Sequence, residues 1–103
     1  MMNYVYLIQS LENSNYKVGV SKHPQRRINE LQTGNSNKLK LIEVYKSEYA
    51  YQIEKTLQNR YSYLRKEGEW FNMSVSNELS FISECVEIEK NIVFLKKSGN
   101  VFI

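Results

Sequence analysis

The sequence predicts a small α/β (α+β) domain in which a three-stranded, mostly antiparallel sheet is flanked by about three helices. Three patterns predict it. Segments 4–8 and 16–20 each alternate side-chain faces with a period of two, and the polar run between them has the composition of a hairpin loop. Segment 38–46 repeats that alternation with β-branched and aromatic residues, which reads as a third strand. In segments 24–33, 48–65 and 79–95 apolar residues recur instead at three- and four-residue spacing, the period of an amphipathic helix. A chain of 103 residues is one domain with room for a single modest core.

In the hairpin, Tyr4, Tyr6 and Ile8 share one face and Val5 and Leu7 the other; opposite them Lys17 and Gly19 are set against Tyr16, Val18 and Val20. If Val5, Leu7, Val18 and Val20 face the core, then Tyr6, Lys17 and Gly19 gather on the second face: a phenol, an amine and a bare backbone. Pro24 then starts a helix that Gly34 ends. Its buried stripe is Ile28 and Leu31, so Arg27 at the stripe margin leans over the hairpin and Arg26 faces outward. In the third strand Leu39, Leu41 and Glu43 are expected on one side and Lys40, Ile42 and Val44 on the other.

Ser47 or Glu48 caps a second helix, which the recurrence of Ala50, Ile53, Leu57, Tyr61 and Leu64 extends to about Arg65. Glu54 falls on the edge of that apolar stripe, with Gln58 one turn further on; a carboxylate held there is costly unless it meets a cation. Residues 67–72 form a turn and a short extended piece whose Trp70 and Phe71 close one end of the core. Ser74 or Ser76 caps a third helix with a wide apolar face that includes Phe81, Ile82, Cys85, Val86, Ile88, Ile92, Val93 and Leu95. Packing on its own domain or on a second subunit would cover that face. The division is thus a core over 1–73, a C-terminal helix over 74–98 and a tail over 99–103 that the pattern does not place.

Composition narrows the function. A net charge of +3 and a pI near 9.0 permit a polyanionic partner without demanding one. The single Cys85 excludes an internal disulfide and an all-cysteine metal site, and in its apolar stretch it reads as a buried structural thiol. No secretory signal or membrane-spanning run is present, so the expected location is cytoplasmic. Lys17, Lys22, Arg26, Arg27, Lys38 and Lys40 cluster in the first half, where they would grip phosphates without reading bases.

Six landmarks follow in order: Tyr4-Val5-Tyr6, then Lys17-Val18-Gly19, Arg27, the run Leu31-Gln32-Thr33-Gly34-Asn35, Glu54, and the closing Gly68-Glu69-Trp70-Phe71-Asn72. Together they resemble the GIY-YIG endonuclease superfamily in its compact, phage-type form, over about residues 3–73. The departures are Tyr4 in place of the first Gly, Lys17 in place of the second-motif Tyr, and Gln58 where compact members often carry His.

The resemblance implies a divalent-metal-dependent endonuclease that hydrolyses DNA phosphodiesters with low intrinsic sequence specificity, since targeting in such proteins often belongs to a separate domain. It implies that Glu54 is the sole protein ligand of one Mg²⁺ or Mn²⁺ ion, weakly held without substrate, and that Arg27 contacts the scissile phosphate through its planar fork. Tyr6 would be the general base or its close partner, with Lys17 placed on the same face to help the phenol release its proton. Gly19 would leave room for substrate; Lys22, His23, Arg26, Lys38 and Asn72 are the further candidates for substrate contact. No membrane partner is implied. A host-cell cytoplasm is the expected setting if the chain is phage-encoded.

Other readings of the same residues stand beside these. Tyr6 also suits a core or rim aromatic, Arg27 and Glu54 a structural ion pair, Lys17 a solvated strand position, and His23 the approach to a helix. The rival functions are a nucleic-acid-binding module that has lost cleavage, for which Lys17 and Gln58 speak, and an interaction module that forms a homodimer through the C-terminal helix.

Overall fold

The computed structural model describes residues 2–99, so the tail residues 100–103 lie outside the described part. In chain order the elements are β1 (Asn3–Ser10), β2 (Tyr16–Ser21), α1 (Pro24–Thr33), β3 (Leu39–Ser47), α2 (Ala50–Arg60), a single 3-10 turn (Ser62–Leu64) and α3 (Val75–Lys97). The strands lie in the order β2-β1-β3 with both pairings antiparallel, which is the predicted α+β class with its three-stranded sheet and three helices.

Because β1 is central and helices cover both faces of the sheet, β1 is a continuous apolar run, as a strand buried on two sides requires. Val5 and Leu7 point to one face, where they meet Val18 of β2, Ile53 and Leu57 of α2, Phe81, Cys85 and Ile88 of α3, and Phe71 from the segment before α3 in the main core. Tyr6 and Ile8 point to the other, where Ile28 of α1 and Leu39 of β3 form a second, smaller core. Trp70 and Phe71 part company at the sheet edge. Phe71 is fully buried in the main core, and Trp70 packs on the smaller one.

The long helix α3 starts at Ser74, whose Oγ accepts from the Asn77 N–H at 3.1 Å while Asn77 Oδ1 accepts from the Ser74 N–H at 2.9 Å, a reciprocal cap. Phe81, Cys85, Ile88 and Ile92, one stripe of this helix, are buried in the main core. Burial raises the Cys85 thiol to about 12, as expected of an inert structural cysteine. Along the flanks of the stripe, glutamates accept from tyrosines of the other elements: Tyr16 Oη donates to Glu78 (2.5 Å), Tyr61 Oη to Glu84 (2.6 Å) and Tyr45 Oη to Glu89 (3.2 Å). Each ring lies in or against the core and its hydroxyl reaches the rim, so packing accounts for these three tyrosines.

Two local expectations need correction. The second helix ends at Arg60, and the 3-10 turn that follows keeps Tyr61 buried and Leu64 half-buried; a three-residue step serves a 3-10 turn as well as an α-helix, so periodicity alone continues to Arg65. In β3 the pairing shifts between Leu7↔Glu43 and Ile8↔Leu41, which leaves Ile42 as an extra residue. This bulge exchanges the two faces: Leu39 and Leu41 pack toward α1, whereas Tyr45, of the same parity, packs toward α3. Gly34 does follow α1, but with φ of −92°, a conformation open to any residue.

Register places Tyr6 opposite Gly19, and the phenol lies flat over the bare Cα: a Cβ built on Gly19 would stand 2.8 Å from Tyr6 Cε1 and closer still to Cζ and Oη. Gly19→Ala should therefore cost about 1–3 kcal/mol in urea denaturation, through overpacking. In a Tyr6→Leu background most of that cost should disappear, a coupling of about 0.5–3 kcal/mol; equal costs in both backgrounds would refute the contact.

Candidate functional site

The candidate residues gather around β2, the edge strand, which α1 approaches from one face of the sheet and α2 from the other. On the α1 side, Tyr6 is 3% exposed, its ring held between Gly19 beneath and the residues of the smaller core. The room left by the missing Gly19 side chain is thus filled by Tyr6 itself, rather than kept for a ligand. Arg27 stands over this point from the first turn of α1, its N–H bonded to the His23 carbonyl at 2.9 Å. Its guanidinium is neighbour to the Tyr6 hydroxyl, short of a well-aligned hydrogen bond. The hydroxyl and then Glu30, 3.6 Å away, hold the guanidinium above its already high ordinary pKa. Arg27 remains 45% exposed, so its fork is open to a ligand.

Lys17 is not where the hairpin pattern suggested it would act. It shares the α1-facing side of β2, but its ammonium is drawn outward into an ion pair with Glu69 and sits 6.0 Å from the centre of the Trp70 ring. The cation beside Tyr6 is accordingly Arg27. Glu69 stood in the closing motif without a role. No local spacing could assign one, because its partner lies 52 positions earlier in the chain.

Glu54 reaches the same edge from α2. It is half-buried and has no cation within 4 Å among the described residues, so the structural pair with Arg27 is not formed. Burial, followed by the nearby Glu69 carboxylate, raises its pKa, and Lys17 opposes the rise. Glu69 moves the other way. The Lys17 ammonium holds it below the usual carboxylate range, with smaller help from Arg27 and Arg65. Lys17 thus serves two carboxylates and satisfies one. A half-buried carboxylate short of positive charge fits a divalent cation, for which Glu54 would be the ligand; no group of three or more His, Cys, Asp or Glu side chains is arranged for one among the described residues.

The remaining candidates lie around this centre. Lys22, Arg26 and Lys38 are exposed on α1 and the segments flanking it, and His23 precedes the helix without capping it through its side chain. Gln58 donates to the Val18 carbonyl at 3.2 Å, a tie between α2 and β2 that accounts for an amide there. Asn72 is exposed; its backbone N–H is bonded to the Leu64 carbonyl, and no hydrogen bond joins its side chain to Tyr6, Arg27 or Glu54 among the described residues.

The T5orf172 domain model matches residues 3–90. The chain belongs to the T5orf172 domain family. No curated protein and no solved structure matches the chain. The T5orf172 match spans the whole sheet, α1, α2 and most of α3, so every candidate residue falls inside it, and α3 is included along with the site-bearing elements. Members of this family are loosely associated with endonuclease-like proteins, which points to a nuclease-type or nucleic-acid-related class of function. No helix among the described residues is long and apolar enough to cross a membrane.

The two carboxylates should respond oppositely to pH. Glu54, with its raised pKa, favours folding when protonated, and that advantage is lost as pH rises through its folded pKa. Glu69, with its lowered pKa, stabilises when ionised, and that contribution is lost as pH falls through its folded pKa. In thermal melts at pH 7, Glu54→Gln should be at least as stable as the parent and Glu69→Gln less stable by no more than about 0.2–1 kcal/mol, the range of an exposed pair. Both differences should shrink below the carboxylate range; a Glu54→Gln variant less stable at pH 7 would contradict this electrostatic account.

Proposed function

We propose that this T5orf172 domain is a divalent-metal-dependent endonuclease of the GIY-YIG type, hydrolysing phosphodiester bonds of DNA with little sequence preference. The observation that carries the reading is the juxtaposition of the Tyr6 hydroxyl with an accessible Arg27 guanidinium at the edge of β2, while Glu54 stands half-buried and unpaired at the same edge. The ordered motifs and the family support it.

Phosphodiester hydrolysis needs a water proton removed, the charge on the phosphoryl oxygens relieved and the leaving oxygen stabilised. Arg27, open on one side and anchored beside Tyr6 on the other, binds the phosphate through two parallel N–H donors and fixes its orientation. Tyr6, as the phenolate, would accept the proton of the attacking water and become the neutral phenol, its oxygen held in place by the neighbouring Arg27 guanidinium. Glu54 would hold Mg²⁺ or Mn²⁺, which when bound supplies Lewis-acid relief of phosphoryl charge. Lys17 opposes the rise in the Glu54 pKa without cancelling it and, through Glu69, is itself held at the rim; its role is directed at the carboxylates instead of at the phenol. Exposed Lys22, Arg26 and Lys38 extend a basic face for the flanking phosphates, which gives binding its salt dependence.

Incubation with supercoiled plasmid in Mg²⁺, Mn²⁺ or EDTA tests the reading. Nicking should require the metal, fall about 10²–10³-fold in Arg27→Ala and be lost in Glu54→Ala, while salt-sensitive DNA binding persists in Glu54→Ala. Arg27→Lys should not restore the rate, because an ammonium cannot reproduce the fork. Metal-independent binding without cleavage by the parent protein would instead identify a binding module, with the outward pairing of Lys17 as the structural correlate of lost catalysis.

A further inference from the structure

Beside the Lys17–Glu69 pair, three loops enclose a cavity of about 370 Å³ whose walls include Ser10, Asn13, Asn15, Asn35, Asn37 and Trp70. Its size falls at the lower end of small-molecule sites, about 300–1,000 Å³. Backbone bonds fix its frame. Leu11 N–H donates to the Lys38 carbonyl at 2.9 Å, joining the hairpin loop to the α1–β3 loop, and Lys66 N–H donates to the Trp70 carbonyl at 2.8 Å, closing the turn that presents the indole.

Local structure explains only half of the amides. Asn13 and Asn35 each accept, through Oδ1, a backbone N–H two residues on (3.0 and 2.9 Å), the usual work of asparagine in a turn. Asn15 and Asn37, both half-buried, make no side-chain hydrogen bond among the described residues. Ser10 supplies a second anomaly. It is 2% exposed, and its Oγ is the single buried side-chain polar atom without a partner among the described residues, where such a group normally costs stability. Amides and a hydroxyl without partners, on a framed cavity with an aromatic wall, are what a flat ligand bearing both donors and acceptors would satisfy. Within reach of a phosphodiester site, that ligand is a base.

We propose that this cavity receives one unpaired nucleobase of the bound strand, with Trp70 as its stacking wall and Asn15, Asn37 and Ser10 as its hydrogen-bonding groups. A carboxamide donates and accepts at once, as a base edge does, and an indole stacks on any base. The placement agrees. Ser10 follows Tyr6 and Ile8 on the same side of β1, four residues and so roughly 13 Å from Tyr6. Trp70 touches both regions, since the Lys17 ammonium lies 6.0 Å from its ring centre. The exposed Lys66 and Glu67 also stand on the wall, one charge of each sign, so the base is left to the amides, the hydroxyl and the indole. This inference rests on the nucleic-acid reading of the domain and adds to it a preference for single-stranded or distorted substrate.

Trp70 is the single tryptophan of the chain, so its fluorescence reports the site directly. The probes are a four-nucleotide DNA single strand and the same strand with an abasic residue at each position in turn, titrated into the full chain and into Ser10→Ala and Asn37→Ala, with plasmid nicking followed in parallel. The intact strand should quench saturably, and one abasic position should weaken binding between about 5- and 150-fold. Both variants should weaken it by at least about fivefold. Ser10→Ala removes an unsatisfied buried hydroxyl, so it should melt no lower than the parent, which separates lost affinity from lost fold. Absent quenching, quenching indifferent to every abasic position, or parental affinity in both variants would overturn the base site. If plasmid is still nicked in that case, the nuclease reading survives alone; base-dependent quenching without nicking would leave the base site standing and remove the cleavage.

Discussion

The packing of the Tyr6 ring over the bare backbone of Gly19 is the contact from which the site is built. Phenol and glycine are directly paired across β1 and β2, and no other residue at position 19 leaves space for the ring. A slip of one residue would bring a side chain under the phenol and would turn every apolar residue of β2 to the wrong face. The ring is therefore both a wedge that reads out register and a buried group whose hydroxyl emerges beside Arg27. The hydroxyl of Tyr6 is met from α1 by the Arg27 guanidinium, and Pro24 with Ile28 sets that helix over the sheet.

The second face solves a different problem. A sheet of three short strands gives α3 few positions to pack on, yet four of its residues are buried there. Full burial of Phe81, Ile88 and Ile92 is worth about 1.5–3 kcal/mol each. The tyrosines extend this contact. Tyr16, Tyr45 and Tyr61 bring apolar rings from β2, β3 and the end of α2 and place a hydroxyl where Glu78, Glu89 and Glu84 of α3 accept it. Burial pushes Tyr16 and Tyr45 up to about 12, so these phenols stay neutral donors across the physiological range. The glutamates of α3 are thereby occupied on the face away from α1, and the exposed cations of α1 are left to define the basic side.

Strands, helices and the position of Tyr6, Gly19 and Arg27 were legible because each is dictated by near neighbours: a two-residue alternation, a proline start, a stripe margin. What escaped the sequence depends on distant pairs. The bulge at Ile42 is invisible in β3 alone, since it exists only as a mismatch with Leu7 and Ile8 of β1. Lys17 was correctly placed on its face, but the direction of a long flexible side chain is settled by Glu69, which no periodicity links to it. The Asn-lined cavity is likewise assembled from three loops, each of which reads separately as ordinary turn chemistry.

The charge arrangement at the edge of β2 follows from this geometry. One ammonium stands near two carboxylates, and proximity gives it to Glu69, the more exposed of them, where ionisation is cheap. Glu54, the more enclosed, is left with the desolvation cost and an acidic neighbour. Had Lys17 turned to Glu54 instead, the enclosed carboxylate would be neutralised from within the protein and would have little to offer an external cation. The partition leaves the deficit of positive charge at the enclosed position, where dielectric screening is weakest and a cation gains most. Tyrosine at position 17 could not create this partition, because a neutral phenol pairs with neither carboxylate as a charge; lysine there decides which of the two keeps an ionic partner, while the nearer neighbours of Arg27 are the Tyr6 hydroxyl and Glu30.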